Sequence, residues 1–367
     1  MQPTVALFST NFLDYSQTFV FEELRAHRRY RAEVFCARRH NADRFPYDAV
    51  HEGGVTYLAT RRSPRFDRLL ESGAYGVLHA HFGTGGVYAV PFARRHRLPL
   101  VVTFHGYEVP LLGSVKRLVP RNLPYALTAP ALLEHMTLGL CASTELLEML
   151  HDLGVPRERL RLHRIGIDLT RFHRGARDPE RPRLAMVGRF VEKKGFEYGL
   201  RAFARVARGS GAELVVIGGG ERERRLRSIV QHEGIAEQVR FAGVLTNDQV
   251  AAELARSDVL LAPSVVTVDG DRESGLVAVK EASASECVPV TTWHGGIPDI
   301  VDDGETGYLV HERDVEALAD RLARLLADPD LRARMGVAAR RKMEREYDNV
   351  ERVAALEDRY DEARGLR

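Results

Sequence analysis

Residues 258–282 read DVLLAPSVVTVDGDRESGLVAVKEA. The apolar run 258–262 has the length and composition of a buried strand, and 263–269 form a loop. Ser274-Gly275 breaks the backbone, and residues 276–286 then read as a helix. A strand, a short loop and a helix in that order is the repeating unit of a parallel α/β sheet. The first turn of such a helix leaves N–H groups without intrahelical partners, here those of Ser274, Gly275, Leu276 and Val277. Those groups suit a phosphate. Glu273 precedes the helix and Glu281 falls in its second turn. Two carboxylates so spaced could hold vicinal hydroxyls on either side of a diphosphate. Taken alone, the stretch fits a capping glutamate and a surface glutamate on an ordinary helix better than a ligand site.

Outward from this unit the same alternation continues. Strands are expected over 183–187, 213–218, 239–242 and 288–292, with helices over 196–209, 221–233, 315–327 and 331–346. An earlier series has strands over 4–9, 33–37, 77–80, 100–104 and 160–164. Its helices are expected over 19–27 and 145–153, and residues 131–140 lead into Cys141. The Pro- and charge-rich segment 174–183 (RGARDPERPR) reads as the linker between the two series. The fold class expected is therefore α/β, with two Rossmann-like domains facing a central cleft. Their bounds are 1–173 and 174–348, and a final helix within 349–367 packs back on the first. In such sheets ligands lie beyond the carboxyl ends of the strands.

Bulk composition agrees. The chain has 367 residues, 44% hydrophobic and 28% charged, more than one core usually organises. Its three cysteines, Cys36, Cys141 and Cys287, have no metal-ligand rhythm and fit a reduced, cytoplasmic setting. No basic leader followed by an apolar stretch opens the chain, and no apolar run is long enough to span a bilayer. Charge is uneven: 23 Lys and Arg against 16 Asp and Glu over 1–175, and 30 against 35 over the rest. The excess arginines are scattered, which favours a solvated surface over an anionic docking face. Peripheral contact at the inner membrane face stays open, and no nucleic-acid partner is expected.

Three further glycine-rich turns follow strands. GRFVEKKG (188–195) turns at Gly188 and offers Arg189 and Lys194 to a departing diphosphate. GGGE (218–221) and WHGGIP (293–298) also sit at strand ends. Together these elements resemble the family 4 retaining glycosyltransferases of the GT-B fold, over most of 75–345 and most strongly over 184–310. The E-x7-E pair Glu273 and Glu281, the 188–195 loop and HGGIPDIVDDGETGYLV (294–310) carry the resemblance.

The resemblance implies that Glu281 binds ribose hydroxyls and Glu273 the donor sugar, while Arg189 and Lys194 hold the diphosphate. Val244 and Leu245 would bracket the base, with Gly188, Gly219, Ser274, Gly275, Leu276 and Val277 lining the nucleotide. In the first half, TFHGYE (103–108) resembles the family's His-Gly motif, so His105 would contact the donor sugar across the cleft. HAHFG (79–83) and SQTF (16–19) resemble an exopolysaccharide-type subgroup. The first domain would bind the acceptor and the second the nucleotide-sugar. The chain departs from the pattern in three places. The first loop, 9–17, has no glycine; Glu273-Ser-Gly-Leu stands where E-G-x-P is frequent; and Cys287 stands where glycine is common.

The activity so implied is retaining transfer from a nucleotide-diphosphate sugar, UDP being the commonest base in the family. The acceptor would be a lipid-linked glycan or a small natural product such as an aminocyclitol. Departure from the front face, with phosphate helping to take the proton, would need neither a metal nor any other cofactor. The rival readings are a non-catalytic nucleotide-sugar-binding protein and a GT-B phosphorylase, though no pyridoxal lysine is recognisable. A dinucleotide oxidoreductase is disfavoured because no convincing G-x-G-x-x-G occurs.

Overall fold

A computed structural model of the chain describes residues 2–14, 17–178, 181–268, 270–273 and 276–365. Two compact units emerge: Met1–Gly166 with Asn349–Arg367, and Ile167–Asp348.

The first unit is built on seven parallel strands: β1 (Thr4–Phe12), β2 (Arg31–Arg39), β3 (Val50–Glu52), β4 (Tyr75–His81), β5 (Leu100–Phe104), β6 (Leu138–Cys141) and β7 (Leu160–Leu162). Their order is β3-β2-β1-β4-β5-β6-β7, so the order reverses between β1 and β4. Side chains alternate across the sheet. Ala6, Phe8, Leu78, Ala80, Val102 and Phe104 enter one core. Val5, Leu7, Val77 and Val101 enter the core on the other face. That second face is covered by the helices Thr18–Ala26 and Asn349–Ala363, which contribute Val20, Leu24, Leu356 and Tyr360.

The C-terminal helix is therefore part of the first unit. Glu357 accepts backbone N–H bonds from Arg28, Arg29 and Tyr30 at 2.9, 2.8 and 3.0 Å. The chain leaves this unit at Gly166 and re-enters at Asn349. A Cβ on Gly166 would lie 2.5 Å from Asn349 Cα, so glycine is required at that close approach.

The second unit has six parallel strands: β8 (Arg183–Val187), β9 (Glu213–Ile217), β10 (Val239–Gly243), β11 (Val259–Ala262), β12 (Val288–Thr292) and β13 (Tyr308–Val310). The order β10-β9-β8-β11-β12-β13 repeats the Rossmann pattern, reversing between β8 and β11. Leu184, Met186, Val259 and Leu261 face one core, and Ala185 and Leu260 the other.

Several expectations are corrected. The expected loop at 9–17 is strand as far as Phe12: Ser9, Asn11 and Phe12 pair with Cys36, Arg38 and Arg39 of β2. Ladder pairing, not a glycine turn, occupies that position. The segment 174–183 does not separate the units, because the division falls between Gly166 and Ile167. Ile167 and Phe172 are buried in the second unit's core. Arg177 donates to Ala255, Glu286 and Ser285 carbonyls at 3.1, 2.8 and 2.5 Å, which binds the segment to its own unit. The helix expected over 276–286 is Val277–Ala284, ended as Glu286 turns to a φ of 56°.

Candidate functional site

In the second unit the loops after β8 and β11 leave from neighbouring strand ends at the reversal point. They are held together by backbone. Val265 N–H donates to Lys193 O at 2.9 Å. Gly195 has a φ of +62°, and a Cβ there would lie 1.8 Å from Pro263 O. Only glycine allows both the left-handed backbone and that approach.

This junction brings two lysines to one carboxylate. Lys194 Nζ lies 3.1 Å from Glu273 Oε2, and Lys193 Nζ lies 3.6 Å from Glu273 Oε1. Lys193 also bonds Asp271 Oδ1 at 3.2 Å. Burial pushes the Glu273 carboxyl up, but Lys194 and Lys193 outweigh it and hold it below the usual carboxylate range. Glu273 Oε1 is buried without a hydrogen-bond donor among the described residues. The main chain at Glu273 is fixed separately. Its N–H donates to His294 Nε2 at 2.8 Å, and His294 Nδ1 bonds Glu312 Oε1 at 2.7 Å. His294 therefore carries its proton on Nδ1, and Glu312 anchors the ring that anchors the loop.

The helix Val277–Ala284 begins after this loop, with no side-chain cap among the described residues. Leu276 and Val277 stand at its start; Ser274 and Gly275 lie outside the described residues. Glu281 sits in the second turn, and burial pushes its carboxyl up to about 7. The ends of β8, β9 and β10 interlock with one another. Phe190 N–H donates to Gly219 O and Gly218 N–H to Gly243 O, both at 2.8 Å. Gly188 shares this crowding: a Cβ on Gly218 would meet its carbonyl at 1.9 Å. Val244 is exposed beside Gly219, and Leu245 is half-buried. Thus Glu273 and Lys194 meet, and Gly188, Gly219 and Val244 gather at adjoining strand ends. Arg189 is exposed and forms no ion pair among the described residues. Sequence reasoning missed Lys193 and the His294–Glu312 pair. Lys193 was legible as Lys194's neighbour, whereas Glu312 carries no local signal.

His105 belongs to the first unit. By strand alternation His79 and His81 on β4, and Thr103 on β5, face the side covered by the helix Thr18–Ala26. His81 Nδ1 and His105 Nε2 are 3.0 Å apart. His81 Nε2 lies 3.1 Å from Glu23 Oε1. Glu108 accepts the backbone N–H bonds of His105 and Gly106 at 2.7 and 3.1 Å. Its carboxyl is pushed up to about 7 by burial. Among the described residues Glu23, His79 and His81 bring ligand atoms within 4.8 Å of one another, close enough to suggest a cation. Both nitrogens of His79 are already engaged, by Thr103 and Tyr360 at 2.8 Å each. His79 is thus held by hydrogen bonds, whereas Glu23 Oε1 and His81 Nε2 form an ion-pair contact without a hydrogen bond among the described residues.

The sequence profile described as Glycosyl transferases group 1 matches residues 170–342, and that described as Glycosyltransferase Family 4 matches 18–171. The chain belongs to the family 4 glycosyltransferases. WcaL of Escherichia coli (strain K12), provisionally assigned to colanic acid biosynthesis, is 33% identical to this glycosyltransferase over 74% of the chain and 67% of its own length. AmsK of Erwinia amylovora, an amylovoran biosynthesis glycosyltransferase, is 29% identical over 75% and 67%. WcaL of Salmonella typhimurium is 33% identical, and there the match spans 60% of the relative's length. Anabaena HepE, solved with UDP and glucose, superposes with a TM-score of 0.78 at 15% identity, covering 99% of this chain and 100% of that one. Sucrose-phosphate synthase of Thermosynechococcus elongatus gives 0.77 at 20% identity, covering 100% of each. The glycosyltransferase has the GT-B fold of two Rossmann-like, parallel-sheet units.

Proposed function

We propose that the protein is a retaining, metal-independent glycosyltransferase that takes its sugar from a UDP-sugar. The observation that carries this reading is the Lys193–Lys194–Glu273 group at the reversal point, followed by a helix N-terminus with no side-chain cap among the described residues. Lys194, Arg189 and the N–H groups at the start of Val277–Ala284 would stabilise the diphosphate as its charge grows. These cations would stand where other glycosyltransferases use a metal. Glu273 Oε1, which accepts no hydrogen bond among the described residues, would take a sugar hydroxyl, and Glu281 the ribose hydroxyls. Val244, Leu245 and Gly219 would flank the base. His105 would bind a hydroxyl of the transferred sugar.

Calorimetric titration with UDP and GDP tests the donor site. UDP is expected to bind, and Glu281→Ala to weaken it by about 10-fold or more, the loss of a charge-assisted pair. Because ribose hydroxyls donate to an ionised carboxylate, the affinity should rise between pH 6 and 8, as Glu281 loses the proton that burial favours. A preference for GDP would change the donor class. No binding of either nucleotide would end the reading.

The relatives' names point to exopolysaccharide assembly, so a lipid-linked glycan is the acceptor we favour. No helix among the described residues is long and apolar enough to cross a membrane, and access to such an acceptor would come from peripheral docking. The segment 115–127 of the first unit suits it. Val115, Leu118 and Leu127 are 83, 67 and 71% exposed, interleaved with Lys116, Arg117 and Arg121.

A further inference from the structure

The side chains of Glu23, His79 and His81 serve nothing described so far. We propose that they form a site for one divalent transition-metal ion of the Zn²⁺ class, bound through Glu23 Oε1, His79 Nδ1 and His81 Nε2. The ion is structural. It ties the helix Thr18–Ala26 to β4 within the first unit, and the diphosphate chemistry proposed for the second unit neither uses it nor depends on it.

The ligands come from two elements. His79 and His81 are two residues apart on β4, and that period sends both rings to the face covered by the helix Thr18–Ala26. The two rings stand 4.6 Å apart, and the helix brings Glu23 to them. The three residues are 8, 0 and 1% exposed in chain order. A carboxylate so deeply placed needs a positive partner. Among the described residues Glu23 makes no ion pair with Lys or Arg, and only His81 and His79 oppose it.

Two observations point to an ion. Glu23 Oε1 and His81 Nε2 stand 3.1 Å apart, yet neither buried atom has a hydrogen-bond partner among the described residues. Two atoms bound at about 2.1 Å to one tetrahedral ion stand roughly 3.4 Å apart, so this spacing suits shared coordination. The second observation is the state of the other ring nitrogens. His79 Nε2 lies 2.8 Å from Thr103 Oγ1, and His81 Nδ1 lies 3.0 Å from His105 Nε2. Ligating histidines almost always donate their remaining N–H to such a partner. One carboxylate with two imidazoles is a donor set that Zn²⁺ takes, a water filling the fourth position. His79 Nδ1, 4.0 Å from Glu23 Oε1, completes three ligands whose atoms lie within 4.8 Å of one another. Here that nitrogen bonds the Tyr360 hydroxyl at 2.8 Å. Binding exchanges this bond for the ion, with a ring shift on the order of 1 Å, and Tyr360 keeps His27 Nε2 at 3.3 Å.

The test uses the full chain without a histidine tag, stripped with a chelator and then given Co²⁺ or Zn²⁺ alone. One equivalent of Co²⁺ should be taken up, with the intense visible absorption of a four-coordinate ion. The ligands are nearly closed to solvent, so uptake should be slow and is followed to its plateau. Glu23→Gln and His81→Gln should each weaken binding by more than about 100-fold, beyond the 10–100-fold cost of losing an outer partner. Tyr360→Phe removes the hydroxyl that competes for His79 Nδ1 and should tighten binding about 5-fold, the net worth of one hydrogen bond. Zn²⁺ at about 100 times its Kd should raise the melting temperature of the wild type by roughly 5–10 °C and leave that of Glu23→Gln unchanged.

No uptake by the wild type overturns the proposal. So does uptake that is unchanged in both ligand variants, or a six-coordinate spectrum, the mark of a solvated surface site. If the ligand variants do not fold, Tyr360→Phe decides, because an unchanged or weaker Co²⁺ affinity in that variant overturns the site.

Discussion

Replacing Lys194 by alanine is expected to slow sugar transfer by about 10²–10³-fold, the usual cost of removing one preorganised group that meets developing charge. Lys194 Nζ lies 3.1 Å from Glu273 Oε2 and is only 15% exposed, so its charge acts in a poorly hydrated corner. Lys193 cannot replace it, because that ammonium is 3.6 Å from the other oxygen and is committed to Asp271 at 3.2 Å. The loss should appear chiefly in kcat, since charge on the leaving diphosphate grows on the way to the transition state. Glu273 keeps one cationic neighbour, and the loop keeps its His294 anchor, so the variant should fold. Steady-state kinetics with a turned-over UDP-sugar decide it. A kcat within about 3-fold of wild type would remove Lys194 from the mechanism.

The second large effect concerns segment 115–127. The paired change Leu118→Asp and Leu127→Asp is expected to abolish sedimentation with vesicles containing phosphatidylglycerol. Both side chains are largely exposed, at 67 and 71%, so the substitutions disturb little packing. Each apolar side chain buried in the interface contributes on the order of 1–2 kcal/mol, and each neighbouring cation about 1 kcal/mol near an anionic surface. Losing two anchors and adding two negative charges therefore removes most of the attraction. Neutral phosphatidylcholine vesicles should bind the wild type weakly. Equal binding of wild type and variant to anionic vesicles would assign the docking surface elsewhere.

The alternating strands and helices were legible because parallel sheets buried on both faces demand near-continuous apolar runs. In β8 that run is Leu184-Ala185-Met186-Val187, and in β11 it is Val259-Leu260-Leu261-Ala262. The glycine turns were legible for a related reason: they sit at strand ends, where local sequence decides the turn.

What escaped the sequence depends on distant partners. Residues 9–12 are polar enough to read as loop, yet they are strand because β2 supplies the ladder. The helix Phe82–His96 contains three glycines and Pro91, against its propensity. It forms because it packs closely: a Cβ on Gly86 would lie 2.9 Å from Leu132 side-chain atoms. Glu23, His81 and His105 come from three separate elements, and no spacing rule links a helix residue to two strand ends. His294 and Glu312 likewise meet only through the fold.

The central claim is that the diphosphate of a nucleotide-sugar sits at the start of the helix Val277–Ala284, beside Lys194. A crystal structure of the protein with UDP bound tests it most directly. The account predicts the β-phosphate at that helix N-terminus within hydrogen-bond reach of Lys194 Nζ, with the ribose hydroxyls on Glu281. UDP bound with its diphosphate away from Lys194 and that helix would contradict it.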